Sequence, residues 1–355
     1  MSLKMMTITL FAFAIFQASV ITTLAKENYS IDWDAIFNWD ELDVGLYWFD
    51  ENNQPSKTEN FIADRPTVIY VHGWQNGTTL NKFRESFLFS DTDKYGEEIY
   101  ANTLTSWKQQ GWNVGIFYWN QLSDEGEVKD AEAKIWTSDY SNVGMRWKDS
   151  TGESRYDNMP QVSAGELFYD SYVKAMEGYT GNNIRIVGHS LGNQMAVHVT
   201  KLISDDVKAG NIAENLMPNR IALLDPYYSK YAKDYLGGKW TGEVVREYVQ
   251  QFIQDGVIVE ATKTSAATGP LTGDDNRELE QMVAFTQIKP WAYSATDIAK
   301  KHVYAVPHYF YQYAFKTMND DAEVRSLMES NNKMIHTDGH FTLTPEDDVF
   351  MEVPY

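Results

Sequence analysis

The stretch Ile184–Asn193, IRIVGHSLGN, places a serine between two glycines, with β-forming residues before it and a helical pattern after it. Between "IRIV" and "SLGNQMAV" the chain must reverse from strand to helix within one or two residues. That reversal forces Ser190 into a strained backbone conformation and needs glycine at 188 and 192, where a Cβ would clash. The same corner lifts the hydroxyl above the sheet and sets it at a helix N-terminus, whose dipole favours developing negative charge. Ser190 is therefore the candidate nucleophile.

The surrounding pattern supplies the scaffold. "RPTVIYVHGW" and "WNVGIFYWN" are apolar runs of a kind that suits strands buried on both faces, and "NRIALLD" and "GVIVEATKTS" read as further strands. "VGLYWF" from Val44 reads as a further, earlier strand. Helical patterns intervene in "NKFRESFLFS", "YGEEIYANTLTSWKQQG", "QVSAGELFYDSYVKAMEGYT", the segment after Ser190 and "GEVVREYVQQFIQD". Alternation of this kind predicts an α/β fold with a mostly parallel central sheet, helices on both faces, and a ligand site at the carboxyl ends of the strands. No internal repeat or Pro-rich linker divides residues 26–355, which are expected to form one domain. The polar stretch 121–160, carrying Trp136 and Trp147, and the stretch 269–307 are candidate coverings of the site.

A serine hydroxyl becomes a useful nucleophile only when a base takes its proton, and the base needs a buried carboxylate to fix its tautomer. Asp225 closes the strand "NRIALLD" at its carboxyl end, with room for one helix and one strand between it and Ser190, and is the expected acid. Downstream of it stand His302, His308, His336 and His340. His308, after Pro307 and ahead of the helical pattern "YFYQYAFKTM", is the preferred base and His302 its competitor; His336 and His340 fall in a polar tail. Two backbone N–H groups are expected to receive an oxyanion, those of Leu191 and of Trp74 in "VHGW", with Gly73 letting the chain pass close to a substrate carbonyl.

Composition narrows the setting. Residues 1–25 have Lys4 as their sole charge, an apolar run "MTITLFAFAIF" and small residues near Ala25, the pattern of a secretory signal peptide; its apolar core is short for a bilayer span. An extracellular protein without a membrane anchor after processing is expected. With no cysteine, the chain has neither disulfides nor a thiolate nucleophile. Fifty acidic against thirty basic residues leave a net charge of −20, which repels nucleic acid and anionic membranes and leaves neutral or zwitterionic substrates. Sequons occur at Asn28 and Asn76.

The blocks "VIYVHGW", "IRIVGHSLGN", "IALLDP" and "VPHYFYQYAF" resemble, in content and order, those of the pancreatic-type lipase family within the α/β hydrolases. The similarity runs from about Val44 to about Met318. It implies hydrolysis of carboxylic esters, lipids at a lipid–water interface among them. On it Ser190, Asp225 and His308 match the triad, Trp74 and Leu191 are the oxyanion donors, and no cofactor or metal enters the chemistry. The chain departs from the family in lacking disulfides, including one bracketing a lid, and in having too little sequence after His308 for a C-terminal β-sandwich. A non-catalytic lipid-binding or storage protein and a serine thioesterase or peptidase are the alternatives.

Overall fold

A computed structural model of the chain describes residues 31–267, 273–274, 276–290, 292–314, 334–337 and 350–352. The leader expected over residues 1–25 and the sequon at Asn28 lie outside these, as does His340.

The chain begins with a short helix α1 (Trp33–Ile36), then strands β1 (Gly45–Phe49), β2 (Pro55–Ser56) and β3 (Thr67–Val71), a hairpin of β4 (Leu88–Thr92) and β5 (Glu98–Asn102), helix α2 (Leu104–Gln109) and β6 (Asn113–Tyr118). Helices α3 (Asn120–Ser123) and α4 (Val128–Trp136) and a small hairpin, β7 (Trp147–Lys148) with β8 (Ser154–Arg155), lead to α5 (Ala164–Ala175). Next come β9 (Ile184–His189), α6 (Gly192–Ala209), β10 (Arg220–Leu224), α7 (Thr241–Gln254), β11 (Ile258–Lys263), α8 (Arg277–Met282), β12 (Ala284–Gln287) and α9 (Ile298–Ala314). Strands β13 (Met334–Thr337) and β14 (Phe350–Glu352) complete the described chain.

Among the described residues the main sheet runs β14-β13-β12-β11-β10-β9-β3-β6-β1-β2. Pairing is parallel from β13 across to β6 and antiparallel at both margins. The central strands are largely buried because both faces are covered. Ile69, Val71, Ile184, Ile186, Ile221 and Leu223 pack with Phe168, Val197 and Val249 of α5, α6 and α7. Val68, Tyr70, Val187, Ala222 and Leu224 pack on the other side with Trp107 of α2 and Ala305, Tyr309 and Phe310 of α9. Each large apolar side chain so buried contributes about 1.5–3 kcal/mol. This strand order, with a parallel centre and helices on both faces, is that of an α/β-hydrolase fold.

Register aligns the strand ends that matter. Val71 lies opposite Gly188 and Leu224 opposite His189, so the residues after β3, β9 and β10 emerge together at one edge.

Two sequence expectations need correction. The segment expected to be helical over "NKFRESFLFS" and "YGEEIYANTLTSWKQQG" contains the β4–β5 hairpin, and only its end is helical. The hairpin is closed by Asp93, whose carboxylate accepts the N–H groups of Tyr95 and Glu97, with Gly96 at φ +89°. This is turn chemistry that outweighs a diffuse helical pattern. Helix α9 starts at Ile298 instead of near Pro307, which lies inside it. Asp297 marks the start: its carboxylate accepts from Ser294 N and its carbonyl from Lys301 N. His336 sits on β13. Of the two stretches expected to cover the site, 121–160 opens with five buried residues, Gln121 to Glu125, and buries Trp147 in the core; 269–307 contributes β12 to the sheet itself.

Candidate active site

Ser190 has φ +56°, in the left-handed region that a non-glycine residue enters at a cost of about 1–3 kcal/mol. It persists because its surroundings leave no alternative. A Cβ on Gly188 would lie 2.3 Å from the Gly192 carbonyl oxygen, and one on Gly192 would lie 2.2 Å from the Val71 carbonyl oxygen. Close passage of the helix start against β3 and β9 thus requires both glycines. The corner is pinned by hydrogen bonds from Ser190 N to the Leu224 carbonyl (3.1 Å) and from Asn193 Nδ2 to the carbonyls of Ser190 and Leu224 (both 2.9 Å). Leu191 follows at the first turn of α6, fully buried.

Asp225 follows β10 directly, with φ +39° and its side chain buried. Its carboxylate accepts from Thr264 N (3.1 Å), Ser265 N (3.3 Å), the Ser265 hydroxyl and His302 Nδ1 (2.6 Å). Burial alone would raise the carboxyl pKa; the His302 bond and charge and the Ser265 and Thr264 donors outweigh it and hold it below the ordinary range. An ionised, buried, hydrogen-bonded acid of this kind fixes the tautomer of the imidazole it holds.

The histidine on Asp225 is therefore His302, and the expectation that His308 fills this place is corrected. Both residues lie on α9. At about 100° per residue, six positions turn His308 roughly 120° away from the direction of His302. His308 is instead buried with its ring stacked near Tyr304, at 6.3 Å between centroids. Residues 306–314 of the block "VPHYFYQYAF", on which the resemblance rested its histidine, form the C-terminal half of α9. The error has a physical source: Pro307 reads as a helix start, whereas the helix is set by the Ser294–Asp297 turn ten or more residues earlier.

His302 also touches the serine corner. His189, the residue before Ser190, donates from Nε2 to the His302 carbonyl at 3.0 Å, and the two rings lie 4.5 Å apart, tilted. Burial, with the His302 ring adding to it, lowers the His189 pKa to about 3, so His189 stays a neutral donor.

Beside the corner runs the loop after β3. A Cβ on Gly73 would meet Ser190 Cβ at 2.8 Å, the His189 carbonyl oxygen at 2.9 Å and Leu191 N at 3.0 Å, so only glycine brings this backbone against the serine turn. His72 is buried, donates from Nδ1 to the Gly73 carbonyl (2.9 Å), and burial lowers its pKa to about 3. The indole of Trp74 is buried and donates to the Glu125 carbonyl at 2.6 Å.

Glu85 is a residue with no signal in the sequence. Its carboxylate accepts from Tyr70 Oη (2.6 Å) and from Gln75 Nε2, and burial raises its pKa to about 7 against those bonds and the opposing influence of His302. Among the described residues no group of three or more His, Cys, Asp or Glu is placed to hold a metal ion. No helix among them is long and apolar enough to cross a membrane.

No protein-family model and no curated protein sequence matches the chain. Solved structures with a similar arrangement include a thioesterase domain from the curacin biosynthetic pathway (11% identity, TM-score 0.34, covering 69% of this chain and 89% of that one). A lipase-esterase related protein from Clostridium acetobutylicum is similar at 11% identity and TM-score 0.33, over 74% of this chain and 95% of that one. An esterase from Pyrobaculum calidifontis is similar at 11% identity and TM-score 0.32, over 86% and 96%.

Proposed function

We propose that the chain is a serine carboxylester hydrolase in which Ser190 is the nucleophile, His302 the general base and Asp225 the acid that orients it. The observation that carries this reading is the 2.6 Å bond from His302 Nδ1 to a buried Asp225 beside a serine at φ +56°. With Nδ1 donating to Asp225, Nε2 of neutral His302 carries the lone pair that a base requires.

In the proposed cycle Nε2 takes the Ser190 proton as Oγ attacks the ester carbonyl carbon. The resulting oxyanion is received by the backbone N–H groups of Leu191 and Trp74, at a helix N-terminus that favours the charge. His302 returns the proton to the departing alkoxide, and an acyl-enzyme remains. Water, deprotonated by the same nitrogen, then releases the acid and restores Ser190.

For the substrate we favour acyl glycerol esters, glycerides or phospholipids, handled outside the cell at a lipid–water interface. Support comes from the resemblance of the "VIYVHGW", "IRIVGHSLGN" and "IALLDP" blocks to pancreatic-type lipases, from the leader-like residues 1–25, and from a net charge of −20 that disfavours polyanions. The test is hydrolysis of a p-nitrophenyl acyl ester by purified protein, with Ser190→Ala losing at least ~10³-fold in rate. Unchanged turnover in that variant would reject the mechanism. Tributyrin rates measured below and above its solubility limit separate an interfacial lipase, whose rate jumps, from a soluble-ester hydrolase, whose rate does not.

A further inference from the structure

The loop at residues 72–79, which carries Gly73 and Trp74, is gripped by the seven residues that follow β6. Trp119 Nε1 donates to the His72 carbonyl (2.8 Å), Asn120 Nδ2 to Gln75 Oε1 (2.6 Å), and the Trp74 indole to the Glu125 carbonyl (2.6 Å). The strongest grip is a single side chain. Asp124, buried, accepts from Gly77 N at 2.6 Å on one oxygen and from Thr79 N at 3.0 Å and Thr79 Oγ1 at 2.5 Å on the other.

The gripping segment is itself anchored. The neighbouring Glu125 carboxylate is buried between Lys134 Nζ (2.6 Å) and the Arg146 guanidinium (2.9 and 2.6 Å), and Lys134 Nζ also donates to the Leu122 carbonyl (3.0 Å). A carboxylate held by two cations, one of them on α4, ties the backbone of residues 122–125 to the body of the protein. Asp124 transmits that fixed position to the loop through charge-assisted bonds, which are about twice as strong as neutral ones.

We propose that Asp124 is a positioning residue for the oxyanion loop, holding residues 77–79 so that the Trp74 N–H is set against Ser190 before substrate arrives. The proposal rests on the hydrolase reading above. Positioning matters at this loop because an oxyanion donor acts only near 2.7–3.1 Å from the charge it receives, and loss of one donor lowers kcat by about 10²–10³-fold. The start of the stretch 121–160, which the sequence offers as a covering, is on this reading the mould of the site.

The experiment measures kcat and KM on a p-nitrophenyl ester, normalised to folded protein, together with thermal midpoints, for wild type, Asp124→Ala, Asp124→Asn, Thr79→Val and Val249→Ala. Val249, buried on α7, serves as a purely structural control. We expect Asp124→Ala to lower kcat by about 10²-fold with KM within about twofold, since an interaction felt only in the transition state is lost. Asp124→Asn, which keeps an acceptor oxygen, falls less, and Thr79→Val, which removes one bond of the three, least. Val249→Ala lowers the midpoint without lowering kcat. Should Asp124→Ala fail to fold, the graded pair Asp124→Asn and Thr79→Val decides. Full kcat in Asp124→Asn and Thr79→Val, or a kcat that merely follows the midpoint as in the control, overturns the proposal while leaving serine-dependent turnover intact. A wild type with no turnover lost in Ser190→Ala sinks the hydrolase reading and this proposal together.

Discussion

His302 and Asp225, separated by 77 residues of chain, are joined by a 2.6 Å hydrogen bond between two buried side chains. Because α9 is continuous through both histidines, that bond turns His308 away from Asp225.

The two histidines therefore part company on substitution. His302→Ala is expected to reduce kcat on a simple ester by at least ~10³-fold, and Asp225→Asn by up to ~10⁴-fold through loss of the productive tautomer. His308→Gln is expected to keep kcat within about threefold of wild type while lowering the thermal midpoint, since it disturbs a buried ring. Steady-state rates on the three purified variants check this; a loss in His308→Gln that matched His302→Ala would contradict it.

His189 makes stability depend on pH in a definite direction. Its folded pKa is depressed from 6.5 to about 3, so its contribution is whole above about pH 6.5. As pH falls from there towards 3, the unfolded chain binds a proton that the folded chain refuses. Stability then drops by up to about 1.4 kcal/mol per pH unit on this account. His189→Gln removes the titration but keeps a side-chain donor. Urea midpoints at pH 7, 6 and 5 should show wild type losing ground to the variant as pH falls; a difference independent of pH would count against the assignment.

Glycines at the site and away from it should respond oppositely to the same substitution. Gly73→Ala puts a Cβ within 2.8 Å of Ser190 Cβ, and Gly192→Ala puts one 2.2 Å from a backbone carbonyl that cannot move aside. We expect Gly73→Ala to lower kcat by ~10²-fold or more and Gly192→Ala to lower the folding midpoint sharply. Gly126, with nothing within 4 Å, should accept alanine with unchanged kcat and a stability change under about 1 kcal/mol. Kinetics and thermal melts on the three variants provide the comparison.

Much of this architecture is legible in sequence because it is written in short, local signals. The central strands β3 and β6 are apolar runs, and β9, β10 and β11 are short, mostly buried strands, since each is covered on both faces. The positions of Ser190 and Asp225 follow from glycine spacing and from a strand end. What escaped depends on contacts between distant segments or on competing local signals. The β4–β5 hairpin is set by the hydrogen bonds of Asp93, and α9 by the Ser294–Asp297 turn, where proline was the louder but misleading signal. Thr264 and Ser265, which complete the shell of Asp225, and Glu85, held by Tyr70 and Gln75, have no sequence signature because their partners lie on other strands and loops.

The most direct test of the triad is covalent. A fluorophosphonate added to the folded protein, followed by peptide mapping, should modify Ser190, with labelling suppressed in His302→Ala and retained in His308→Gln. Folded wild-type protein that takes no label, or takes it at another serine, would contradict the account.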